Sequence, residues 1–268
     1  MHAEVSAGRV GPARAVPRRS PWAERARPLL LRLGVLVVVL AAWQAAGDDS
    51  VRLAMPTVTR TLRAFRDLAV GGELWRALLQ SNQAMVAGYA LALAAGLPLG
   101  VAMGTVPAAA RAVQPYLTVL LAIPLIAVLP LIQAVFGLGF PSRVVVVFLF
   151  AVVYIAVNTR VGVETVSPEA REMARSFGAT PRHLLLRVVL PSAFPSIMAG
   201  ARLGLARAIV GMVVAELFLV SEGVGSLIAF YRERFDPAFV FALACALIGE
   251  GVLVVALARR LEARVVRW

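Results

Sequence analysis

The chain contains no lysine; all 27 of its basic residues are arginine. A P-loop sets a lysine on the β- and γ-phosphates of its nucleotide, so that chemistry is excluded from this polypeptide. The glycine-bearing segments SEGVGS (221–226) and GEGVL (249–253) are correspondingly weak as phosphate loops. A single cysteine, Cys245, excludes an internal disulfide and a thiolate metal cluster. Histidine is scarce as well: His2 and His183 stand far apart, and no HExxH or Cys/His spacing occurs, so a metal site is not expected. No Ser/His/Asp arrangement for covalent catalysis is present, and no fixed-period repeat. The alternation of a β-barrel strand is also missing, which leaves helices as the means of satisfying the backbone in lipid.

What the chain has instead is apolar length. Hydrophobic residues make up 60% of its 268 positions, and the mean hydropathy is +0.82; soluble domains are nearer half apolar. Crossing a bilayer as helix takes about 20 apolar residues, and runs of that order fall at 29–47, 83–105, 113–136, 144–161, 194–219 and 238–258. The expected fold is an all-α integral membrane bundle of about six spans. Residues 1–28, rich in Arg, Pro and Ala, read as a disordered basic tail; a retained span follows them without an obvious cleavage site, unlike a signal peptide. Residues 261–268 form a second short tail. With the N-terminus inside, seventeen arginines fall on the cytoplasmic side and eight, including Arg60, Arg76 and Arg143, on the other. That bias places both termini and the stretch 167–191 in the cytoplasm. The formal charge of +12 is then accounted for by topology and anionic headgroups rather than by nucleic acid.

Between the spans, residues 48–81 form an extracytoplasmic arm. Its part from 56 to 81 reads as two short amphipathic helices broken at Gly71 and Gly72, with Leu62, Phe65, Leu68 and Ala69 on one face. Such an arm either lies flat on the membrane surface or simply connects. Trp22, Trp43, Trp75 and Trp268 all fall near expected interfaces. The second span stacks Gly88, Ala92, Gly96, Gly100 and Gly104 at four-residue spacing, a ridge that lets another helix approach closely. Gly200, Gly204 and Gly211 repeat the theme in the fifth, while Pro98, Pro124 and Pro130 are candidate kinks.

The stretch 167–191, SPEAREMARSFGATPRHLLLRVVLP, is a polar island between apolar runs. Ser167 is a good N-cap, Pro168 suits the first helical position and Glu169 complements the dipole. Ala170, Met173, Ala174 and Phe177 then recur at helical spacing, and Gly178 closes the turn. Thr180 and Pro181 start a second helix by the same logic, and Leu190-Pro191 is expected to turn the chain into the fifth span. The hairpin either caps the bundle or docks a soluble partner through its apolar stripe.

The spacing of this island resembles the EAA loop of bacterial ABC importer permeases. Glu172-Met173-Ala174, three residues, Gly178, nine residues, Val188, one residue, Leu190-Pro191 matches it throughout, with Met173 for alanine and Val188 for isoleucine. GELW (72–75), GLPLG (96–100), FGLG (136–139) and VVAE (213–216) extend the resemblance over Met55 to Trp268 and are similar to the nitrate/sulfonate/taurine-type importers. Pro124-Leu125 departs from the paired prolines common in such relatives. The resemblance implies a type I permease domain over 82–260 that pairs as two permease subunits, here a homodimer, in the bacterial inner membrane. It further implies two ABC ATPase subunits holding the ATP and Mg, and an extracytoplasmic binding protein that delivers the solute. In it Glu172 would meet a basic residue of the ATPase, Ala174 would permit close approach, Gly178 would make the turn, and Leu190 and Pro191 would join hairpin to span. The competing expectations are an ion-coupled secondary transporter, which would need repeats and midplane ion ligands, and a non-transport scaffold.

Within the spans, charge is expensive. Arg202 is near an end and can snorkel, whereas Arg207 is too deep. Arg207 either faces the pathway and favours anionic solutes, or pairs with Glu250 of the sixth span; Glu216 lies on the opposite face of its own helix.

Overall fold

A computed structural model describes residues 21–47, 55–219 and 222–265. Residues up to Ala46 and those from Gly47 on form two separate compact units. The tail expected over 1–28 lies outside the described residues as far as residue 20, and from Pro21 the chain is already helical in α1 (Pro21–Ala46). From Leu30 to Leu40 this helix carries exposed leucine and valine on all sides, the pattern of a segment without a polar face. The expected 261–268 tail is likewise helical up to Val265; Trp268 lies outside the described residues.

The second unit begins with α2 (Val58–Val70), N-capped by the Thr57 hydroxyl, which accepts from the Arg60 N–H. Its buried face is Thr61, Ala64 and Leu68, with Leu62 exposed, and it packs chiefly on α11 (Pro237–Val265). The face expected from Leu62 and Phe65 is therefore corrected by one step around the helix. Gly72, at φ +79°, makes the only sharp break here, and α3 (Glu73–Thr105) then runs uninterrupted for 33 residues. Residues 73–81 are thus the first turns of a spanning helix, not a second surface helix.

The expected third span, 113–136, is also corrected. It divides into α4 (Pro107–Ala122) and α5 (Leu125–Phe136), bent by 105° at Ile123 and Pro124. Both break residues are extended, Ile123 because the proline that follows it disfavours helical backbone in the residue before it. Next come α6 (Phe140–Glu164), α7 (Pro168–Ser176) and α8 (Pro181–Leu184). A π-helical turn over Leu185–Val189 leads into α9 (Leu190–Leu219), followed by α10 (Val224–Glu233) and α11. No turn occurs at Leu190-Pro191. A proline lacks the N–H and clashes with the carbonyl four residues back, and the widened turn just before Pro191 carries the helix past it as one run from Pro181 to Leu219.

Among the described residues four helices are long and apolar enough to cross a membrane: α3, α6, the run ending in α9, and α11; the bent α4–α5 pair is apolar enough for a fifth when counted as one broken span, and Leu30–Ala46 is a shorter apolar stretch. The centre is α6, held between α3 and α9. Both neighbours present their glycine ridges to it. A Cβ on Gly96 would lie 3.0 Å from Ile155, and one on Gly204 would lie 2.6 Å from the same side chain. A Cβ on Gly100 would sit 2.5 Å from the Ala156 carbonyl oxygen, and on Gly104 2.6 Å from Val163. Ala92, Ile155, Ala156, Ala208 and Met212 fill the resulting core.

Candidate functional site

The chain order puts the α7–α8 hairpin at one end of the bundle, where α6 ends and α9 begins. Each of its helices is closed by its own sequence. Ser167 Oγ accepts from the Ala170 N–H at 3.1 Å, and Thr180 Oγ1 from the His183 N–H at 3.3 Å. Beyond α7 the Ala179 N–H bonds the Ala174 carbonyl and the Gly178 N–H bonds that of Arg175. This Schellman arrangement requires a left-handed residue, supplied by Gly178 at φ +78°. The hairpin is tied to the bundle by the Arg171 guanidinium, which donates to the Val163 carbonyl, and by a cluster of Val163, Val166, Val189 and Ala193 beneath it. Ala170 and Ala174 are half-buried, but Met173 is 60% exposed and Phe177 87%. Glu172 is exposed beside them. The result is a rigid base carrying an uncovered apolar tip. Leu190 and Pro191 lie in the continuous helix that leaves it.

At the opposite end the structure assembles a cluster that the sequence pattern did not reveal. Arg143, counted on the extracytoplasmic side by its place in the sequence, is 2% accessible and Glu216 1%. Arg143 Nη1 lies 3.8 Å from Glu216 Oε1, while its Nη2 donates to Glu222 Oε2 at 2.8 Å. Glu216 also accepts from the Gly225 N–H at 3.0 Å, and the Val224 N–H donates to Ser81 Oγ at 3.1 Å. Residues from α3, α6, α9 and the start of α10 thus meet at one buried ion pair. The signal was available: Arg143 stands just inside the first turn of an apolar helix, where the dipole disfavours a cation unless a carboxylate answers it. Glu216 is therefore engaged at this end, apart from Arg207.

Of the two alternatives for Arg207, the pair with Glu250 does not form. Glu250 instead accepts from the Asn82 amide of α3, leaving its Oε2 buried without a hydrogen-bond partner among the described residues. The reason is rotational. Where α11 approaches α9, Gly251 faces Ile209, and Ala206 and Ile209 share a surface with α11. At about 100° per residue, Arg207 points away from that side. Its guanidinium lies over the Tyr154 ring of α6, 4.7 Å from the centroid, and among the described residues it forms no ion pair. Arg202, nearer the hairpin end, pairs with Glu262 of α11.

Comparison with known proteins agrees with this architecture. Residues 96–267 match the family described as binding-protein-dependent transport system inner membrane component. The chain is 31% identical to a putative aliphatic sulfonates transport permease protein of Bacillus subtilis, over 96% of both chains. It is 33% identical to a riboflavin transport system permease protein of Chloroflexus aurantiacus, over 100% of this chain and 99% of the relative. Among solved structures it is similar to a methionine ABC transporter in inward-facing conformations, with a TM-score of 0.62 and 20% identity over 72% of this chain and 94% of the other. That likeness concerns the fold. Together with the sequence match over most of its length, it places the chain in the family of binding-protein-dependent inner membrane transport components, as a multi-pass permease subunit of the ABC importer type with the type I fold.

Proposed function

We propose that two copies of this chain form the pathway of an importer and that each docks a separate ATPase through the α7–α8 hairpin. In this reading the hairpin end and both termini are cytoplasmic, and a solute-binding protein approaches the Arg143 end. ATP and Mg are held by the ATPase. The solute is small and anionic, in keeping with the sulfonate relative. ATP binding draws the two hairpins together and opens the cavity outward; release after hydrolysis reverses this. Such transmission needs a lever that does not bend. The observation that carries the reading is the hairpin itself: both helices capped, its base packed on Val163 and Val189, its Met173 and Phe177 left uncovered. An exposed apolar stripe on a fixed helix is what a groove on a soluble partner receives.

The test uses the full complex. Gly178→Val forces a branched side chain into left-handed backbone, at a cost of about 1–2 kcal/mol, and Glu172→Arg reverses the charge beside the stripe. Both variants are expected to insert normally, to lose the co-purifying ATPase and to abolish ATP-driven uptake. Full retention of the ATPase by both would remove the proposal.

A further inference from the structure

Helix α10 ends in a turn that the chain builds twice, with different residues. At the hairpin the Ala179 N–H bonds the Ala174 carbonyl and the Gly178 N–H that of Arg175. After α10 the Asp236 N–H bonds the Tyr231 carbonyl at 3.0 Å and the Phe235 N–H that of Arg232 at 3.1 Å, the same spacing. Both turns need a left-handed residue at the same place. Gly178 supplies it freely, whereas Phe235 adopts φ +55°, the one positive φ outside glycine among the described residues. For an L-residue with a side chain that backbone is disfavoured by roughly 5–30-fold. The ring does not recover the loss within the chain, because Phe235 is 60% exposed. Nor is the turn loose. Tyr231 stacks on Phe239 of α11 at 4.4 Å and donates to Glu73 of α3 at 3.1 Å, and Asp236 pairs with Arg60 of α2 at 3.7 Å. A strained residue on a fixed turn, with its ring left outside the core, points to a contact beyond the chain.

The place of the turn says which contact. The apolar span of α11 runs from Pro237, two residues after Phe235, or about 3 Å along a helix. The Tyr231–Glu73 bond sets the turn level with the start of α3, where Trp75 is also 60% exposed. That is the depth of a membrane–water interface, where aromatic rings collect. Only 17% of the apolar window of α11 is buried, against 56% in α6, so α11 lies at the rim of the bundle and its turn with it. A soluble partner approaching from the water meets the end face; a rim at interface depth meets lipid headgroups. Phe235 is flanked in sequence by Arg232 and Arg234, both exposed. The Arg234 guanidinium covers the Phe230 ring at 5.0 Å, which leaves the edges of its plane for the oxygens of a phosphate.

We infer that the α10–α11 turn anchors the protein in the headgroup layer of the leaflet at the Arg143 end, with the Phe235 ring among the lipid glycerol and ester groups and Arg232 and Arg234 on phospholipid phosphate. Two exposed guanidinium groups beside the single exposed carboxylate of Glu233 favour an anionic phospholipid over a zwitterionic one. The inference goes beyond the permease reading: it depends neither on which face of the membrane this end occupies nor on what the chain transports.

The experiment uses the full-length chain in phosphatidylcholine nanodiscs, with 4-fluorophenylalanine inserted at position 235 alone and read by fluorine NMR. A phosphatidylcholine carrying a nitroxide at the top of its acyl chain is expected to broaden the signal severalfold more than a gadolinium chelate dissolved in the water. The reverse order would overturn the inference and leave the ring to a soluble partner. The arginines are tested by doping the same discs with nitroxide-labelled phosphatidylglycerol or nitroxide-labelled phosphatidylcholine in equal trace amounts. Phosphatidylglycerol is expected to broaden the signal roughly fivefold more, the enrichment that about one basic side chain gives at a membrane surface. Arg232→Gln/Arg234→Gln is expected to bring the two lipids level while the ring stays in the headgroup layer. Arg111→Gln, at an exposed position on α4, is expected to keep the preference. Equal broadening by the two lipids in the parent, or an undiminished preference in the double variant, would overturn the headgroup site.

Discussion

Replacing Arg143 by leucine should cost more than any exposed charge on this protein. Its side chain is 2% accessible and Glu216 is 1%, while Glu222 on the other branch is 56% accessible. Removing one partner of a buried pair leaves the other as an uncompensated charge, typically about 3–5 kcal/mol of lost stability. Glu216→Gln is milder: the amide oxygen still accepts from the Gly225 N–H at its 3.0 Å position, and the loss reduces to that of the charge on Arg143, which Glu222 still meets at 2.8 Å. We expect about 1–3 kcal/mol there. The double variant Arg143→Leu/Glu216→Gln removes both charges together and should cost less than the sum of the singles, by about 2 kcal/mol. Glu222→Gln, at a solvated position, should cost under about 1 kcal/mol. Reversible unfolding in bicelles with mild to strong detergent titration measures all four. Strict additivity of the two buried substitutions, or a Glu222→Gln loss equal to that of Arg143→Leu, would refute the assignment of this pair as the bolt joining α3, α6, α9 and α10.

Two further substitutions follow from the packing. Gly100→Ala places a methyl 2.5 Å from the Ala156 carbonyl, a backbone atom that cannot turn aside; the overpacking cost of about 1–3 kcal/mol should outweigh the ~0.5–1 kcal/mol that alanine gains over glycine in a helix. Gly249→Ala meets nothing within 4 Å, so the gain should stand alone, and equal melting temperatures for the two variants in one detergent would contradict the ridge contact. Asn82→Leu strips Glu250 of its only hydrogen-bond donor among the described residues and should cost about 1–3 kcal/mol; Asn82→Leu/Glu250→Leu should recover most of that, as read by the same unfolding transition.

Local chemistry was the most legible part. Ser167, Pro168, Thr180 and Pro181 mark helix starts because a hydroxyl must take up orphan N–H groups and a proline lacks one; Gly178 marks a stop because its backbone is left-handed. The glycine ridge of α3 was visible as a spacing, since four-residue steps return to one side of a helix. What could not be read was direction. The arm at 56–81 looked like two surface helices because its amphipathic pattern continues past Gly72, yet α3 begins there and crosses as one piece. The 113–136 run carried its prolines openly, but only the neighbouring helices decide whether a proline kinks a span or breaks it by 105°.

The sequence by itself determined that this chain carries apolar helices of membrane-spanning length and that a capped hairpin stands between two of them. Those conclusions rest on composition and on residue-by-residue backbone rules, none of which needs a partner in space. Only the tertiary structure decided how the charges are answered: Arg143 by Glu216 and Glu222, Glu250 by Asn82, and Arg207 by a tyrosine ring. The pairing of charges in a membrane protein is set by the rotation of one helix against another. A turn of 100° per residue makes neighbours in sequence face different helices, and the glycine contacts that fix that rotation exist only once α3, α6 and α9 have met.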